Sequence, residues 1–132
     1  MDSVSDERGQ AILAVVLALG IAATAIVGLR SAQDRVVAGA RSQRAGEAAI
    51  EAAAQSVADA YAAHPDAARD VVLDPRVLES ARVAGEQLAR ENGGSGIEGV
   101  ELSCIGDRIE VRLVLNSYSH HAGFRAPECF PH

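Results

Sequence analysis

Residues 11–29 carry no charge, and they constrain this chain more than any other stretch. The run holds ten Leu, Ile or Val, six Ala, two Gly and one Thr. As a helix it is about 28 Å long, close to the hydrocarbon thickness of a bilayer. Ten strongly apolar residues favour insertion by roughly 3 to 6 kcal/mol. A helix on a soluble surface shows a polar face, and this run has none. Arg8 and Arg30 bracket it, as residues held at headgroups would. The first expectation is therefore a membrane-spanning segment at residues 11–29, after a short leader at residues 1–10.

Two other readings stay open at this point. Ala23-Thr24-Ala25 fits the small-x-small pattern of a signal-peptidase site, which would release a secreted protein starting near Ile26. Against it, Asp2, Asp6 and Glu7 outweigh Arg8, whereas signal peptides begin positive. The other reading is a buried helix of a soluble protein. Orientation is contested too. Arg30, Arg35, Arg41 and Arg44 follow the run and place that side in the cytoplasm by the positive-inside rule. Cys104 and Cys129, read as a disulfide, place it outside.

The helical pattern continues past the run. Residues 30–64 contain no proline, and Ile50, Ala54, Val57 and Tyr61 share one helical face. Arg44 and Glu47 stand as an i,i+3 pair, and Pro65 ends the helix. An unbroken helix over residues 11–64 would reach about 81 Å. Only about 30 Å of it can lie in a bilayer, so the extramembrane continuation at residues 30–64 must pack against something else. Gly20, Thr24 and Gly28 form a small-xxx-small row that could seat a neighbouring helix, and Ala14, Ala18 and Ala22 form another.

Residues 65–132 read as a small α+β region. Asp74 caps a second helix that starts at Pro75 and stops at Asn92-Gly93, with Val77, Ala81, Ala84 and Leu88 on one face. Gly93-Gly94-Ser95-Gly96 reads as a joint. Val100, Leu102 and Cys104 alternate on one strand; Ile109, Val111, Leu113 and Leu115 alternate on the next. A two-residue Gly106-Asp107 turn sets Cys104 opposite Ile109, Leu102 opposite Val111 and Val100 opposite Leu113. Glu101 then faces Arg112 on the wet side. The expected fold is thus a long N-terminal membrane helix, a short helix and a small antiparallel hairpin, with residues 117–132 as a tail.

Composition narrows the chemistry. The chain has 132 residues, 26 of them alanine, and its net charge of −6 argues against nucleic-acid binding. Cys104 and Cys129 fit one disulfide that would pin the tail to the sheet and add about 3 kcal/mol. Free thiols are the second option. A metal site from the two cysteines with His120, His121 and His132 is the third, although no CxxC or HExxH spacing supports it. A Cys–His nucleophile is disfavoured because Cys104 faces the apolar side of its strand. No nucleophile, base and orienting group fall together, so the expectation is no enzyme, no cofactor and no small-molecule substrate.

Asp6-Glu7-Arg8-Gly9-Gln10 running straight into an apolar stretch resembles the (D/E)RGQ start of TadE/TadG-like proteins of Flp (tight adherence) pilus assembly. Actinobacterial TadE-like proteins continue with an Ala-rich helix, a helix ending near Asn-Gly, a strand with Cys and a Gly turn into a V-x-V strand. Residues 45–63, 81–93, 100–104 and 106–115 resemble those parts. The resemblance implies a single-pass plasma-membrane protein, minor pilin-like, with an extracytoplasmic C-terminal region and no catalysis. Its partners would be the lipid bilayer and sibling pilin-like subunits. It also implies candidate leader cleavage between Gly9 and Gln10. Pilin processing accompanies Glu at the fifth mature position, where this chain has Ala14, and that favours an uncut, TadG-like anchor. A membrane-anchored envelope binding module unrelated to pili is the competing function.

Overall fold

The computed structural model describes residues 3–130, and side chains from residue 9 onward. Met1, Asp2 and the candidate ligand His132 lie outside the described residues, as do the side chains of Asp6, Glu7 and Arg8. The architecture is α+β: a long apolar N-terminal helix, short helices and a three-stranded antiparallel sheet. Two compact units part between Ala38 and Gly39.

Helix α1 spans Ser3–Ala63. It begins inside the expected leader and contains the whole apolar run. It ends where Pro65 forbids continuation, and a 3-10 turn, Pro65–Ala67, follows. Helix α2 (Ala68–Leu73) is the short helical piece before Asp74. Helix α3 (Pro75–Glu91) starts on the expected cap, the Asp74 carboxylate accepting from the Arg76 amide at 2.8 Å. It stops in a Schellman arrangement: the Gly93 amide donates to the Arg90 carbonyl and the Gly94 amide to the Ala89 carbonyl. Gly93 has φ +76°, which costs glycine least. The stretch read as a joint is thus a packed stop, for a Cβ on Gly94 would lie 2.7 Å from that of Ala45.

Strands β1 (Ile97–Ile105) and β2 (Arg108–Leu115) pair in the register expected from the Gly106-Asp107 turn. The sheet has three strands, not the two of the expected hairpin, because β3 (Tyr118–Arg125) adds to β2 in place of most of the expected tail. Asn116 and Ser117 both take positive φ, 51° and 64°, the backbone of a type I′ turn. Asn suits that conformation and Ser does not. Three bonds hold it: the Ser117 amide donates to Glu98 at 2.9 Å, the Asn116 side-chain nitrogen to the Ser42 hydroxyl at 2.9 Å, and the Ser95 hydroxyl to the Asn116 side-chain oxygen.

The core lies between the helices and one sheet face. Ile109, Val111, Leu113 and Leu115 alternate along β2 and are fully buried, each worth about 2 kcal/mol. Opposite them are Ala45, Ala49, Ala53 and Val57 of α1 and Ala81 and Ala89 of α3. Cover for the sheet is therefore shared between α1 and α3. Small residues make this possible. A Cβ on Gly85 would meet Ile97, Leu113 and the Ala49 carbonyl, and one on Gly46 would overlap the His120 imidazole at 2.0 Å. The Arg44–Glu47 pair does not form; Glu47 instead accepts from Gln43, one helical turn earlier, at 3.2 Å. On the wet face Arg112 and Glu101 do pair, at 3.8 Å.

Candidate functional site

The apolar segment presents one chemistry on all sides. Its ten large aliphatic residues, Ile12 and Leu13 through to Leu29, are 56% to 69% exposed. Hydrocarbon suits such a surface only if every polar group is satisfied internally. The helix does this for its backbone. The Thr24 hydroxyl donates to the carbonyls of Gly20 at 3.1 Å and Ile21 at 2.9 Å, and Ser31 donates to Val27 at 3.0 Å. Thr24 therefore presents a methyl and no spare hydroxyl proton. Gly20 and Gly28 have nothing within 4 Å of a Cβ position, so the row they form with Thr24 is open to a neighbour. Gly9 and Gln10 lie within α1, and Gly9 is likewise open. Among the described residues one helix is thus long and apolar enough to cross a membrane.

The two cysteines meet. Their sulfurs are joined at 2.09 Å, with Cα atoms 5.3 Å apart. The link runs from β1, one sheet edge, to the 3-10 turn Pro127–Cys129 that follows β3, the other edge. It ties the two edges together; the part expected of it, holding down a loose tail, is taken by β3's own ladder. The same turn is fastened twice more. Arg69 donates to the Cys129 carbonyl at 3.2 Å, and the Tyr61 hydroxyl donates to the Glu128 carboxylate. That bond to Glu128 pushes the Tyr61 pKa up, since losing the phenol proton would set two anions together. Tyr61 also packs on Phe124, ring centres 5.8 Å apart. Beside the disulfide is a groove of about 480 Å³, with Arg69 at its rim and Leu73, Leu102 and Phe130 in its walls.

The histidines separate. His120 lies on the core side of β3 over Gly46, and His121 lies on the opposite side. With both cysteines in the disulfide, the donors weighed for a metal site are not brought together. Among the described residues no group of three His, Cys, Asp or Glu could hold a metal ion. His121 does meet Ser119 at 3.1 Å, and the Ser119 oxygen accepts from Arg112 at 3.0 Å. Sequence reading missed this contact because it missed β3. The cluster reads best as a polar ladder on the wet face. Comparison with protein-family models, with curated proteins and with solved structures finds no match for this chain.

Proposed function

We propose that this chain is a single-pass membrane-anchored structural subunit, minor pilin-like, of a Flp/Tad-type pilus or secretion apparatus. One observation carries the membrane part. Ten large aliphatic side chains surround residues 11–29, exposed on every side, on a helix whose polar groups are internally closed. A monomer in water rarely exposes so large an apolar surface. Lipid is the first partner, and Gly20, Thr24 and Gly28 offer sibling helices a close approach.

The pilus assignment rests on Asp6-Glu7-Arg8-Gly9-Gln10 ahead of that helix. The disulfide favours an extracytoplasmic C-terminal region, because a reducing cytosol would open it. Arg30, Arg35, Arg41 and Arg44 favour the reverse; the disulfide outweighs them as a covalent feature that depends on the compartment. In this reading the subunit has no catalysis, no cofactor and no small-molecule substrate. A clean deletion in the native host tests it. Fibres and adhesion should be lost, and return with the wild-type chain but not with Gly20→Leu/Gly28→Leu. Normal piliation in the deletion contradicts the assignment.

A further inference from the structure

The sheet order is β1-β2-β3, so β3 has one free side. Its two-residue turn makes Leu115 and Tyr118 a hydrogen-bonded pair, and the Ala126 amide donating to the Asp107 carbonyl at 2.7 Å keeps the same phase. Tyr118, His120, Ala122 and Phe124 therefore bond to β2, while Ser119, His121, Gly123 and Arg125 turn their backbone groups outward. The Gly123 carbonyl accepts from Arg108 at 2.9 Å. The backbone amides and carbonyls of Ser119 and His121 have no partner among the described residues. The strand holds no proline, and its one arginine, Arg125, sits at its end, paired with Asp107.

Beside this edge runs a groove of about 390 Å³ between β3 and α1. Ile50, Ala54, Ala122 and Phe124 make it apolar, and Glu47 and Glu51 make its rim acidic. Neither carboxylate has an arginine within ion-pair distance among the described residues; Glu47 keeps only the Gln43 amide. A strand added about 4.8 Å outside β3 would send alternate side chains over this groove. Arginine fits there. Its methylene stem would cover Ile50 and Ala54 while its guanidinium reached Glu47 or Glu51.

We propose that β3 docks an extended, arginine-bearing segment of another protein by strand addition, with main-chain bonds to Ser119 and His121 and arginines on Glu47 and Glu51. A second copy of this chain is a poorer occupant: its net charge of −6 opposes self-association. The inference goes beyond the membrane and pilus reading and does not depend on it.

Terminally blocked peptides of about eight residues test it, one alternating Arg and Val, one alternating Glu and Val, and one Arg–Val peptide with a central proline. Affinities are measured on the full chain in zwitterionic micelles. The Arg–Val peptide should bind about tenfold or more tighter than either control, less so at high salt. His121→Pro should weaken binding about tenfold, although it removes no β2–β3 bond, because that amide faces outward. Glu47→Gln/Glu51→Gln, on an exposed helix face, should erase the preference for Arg over Glu and leave Leu113 protected from hydrogen exchange. Equal binding of Arg–Val and Glu–Val peptides would overturn the proposal. So would full binding by His121→Pro, or a dimer of the chain that His121→Pro abolishes.

Discussion

The stretches of α1 on either side of Gly39 share small residues and live in opposite surroundings. Both are rich in alanine, and both carry glycine at sites suited to close approach. Before Gly39, a Cβ added at Gly20 or Gly28 would have nothing within 4 Å. After it, Gly46 sits under His120, and Ala45, Ala49 and Ala53 are fully buried. Small residues therefore do not by themselves make a buried face; they permit one when a partner surface exists. The later stretch finds its partner in its own sheet and in α3. The earlier stretch has large, exposed aliphatics on every side, which is the state expected of a helix awaiting lipid and other helices.

Enlarging one glycine on each side sharpens this comparison most. Gly46→Leu should destabilise the sheet by about 3 kcal/mol, since the His120 ring occupies the space a side chain needs. Gly28→Leu should leave it within about 0.5 kcal/mol. Hydrogen exchange at the β2 amides in micelles reads both; equal effects would erase the distinction. Cys104→Ser/Cys129→Ser should cost the sheet about 3 kcal/mol by the same readout, given a separation of 25 residues, and should leave membrane retention unchanged.

Smaller effects test how the folded side is fastened. Tyr61→Phe removes the bond to Glu128 and should cost about 1 kcal/mol in urea titrations. Because the Tyr61 pKa is raised, its contribution is complete below the ordinary tyrosine range. It fades as pH rises through the raised value, and Tyr61→Phe should flatten that alkaline decline. Smallest is Glu79. Its bond to Arg82 holds its pKa down, so its contribution is present above the ordinary glutamate range and lost as pH falls through the lowered value. Glu79→Gln should trim acid-side stability only slightly, because this pair is open to solvent.

Patterns of strong period were legible in the sequence. The β1–β2 register followed from turn length and alternation, and both edges of α3 followed from Asp74, Pro75 and Asn92-Gly93. Strand β3 was not legible for a physical reason. Tyr-Ser-His-His-Ala-Gly-Phe-Arg has weak strand propensity and one apolar side made of His120, Ala122 and Phe124. Its entry turn uses Asn-Ser where Asn-Gly is the stronger signal. That turn depends on Glu98 and Ser42, residues distant in sequence that no local reading brings together. The same blindness hid the Ser119–His121 contact and the free edge. The Gly46–His120 fit was hidden too, since a lone glycine in an alanine-rich helix carries no mark of what lies above it.

The central claim is that residues 11–29 remain in the chain as a membrane anchor while the region beyond them is oxidised. Its most direct test is the intact mass of the protein from alkaline-washed native membranes, with thiols alkylated and not reduced. The chain should be found in the membrane pellet, retain residues 11–29 and carry no alkyl group on Cys104 or Cys129. A soluble chain starting near Ile26, or one alkylated at both cysteines, would contradict it.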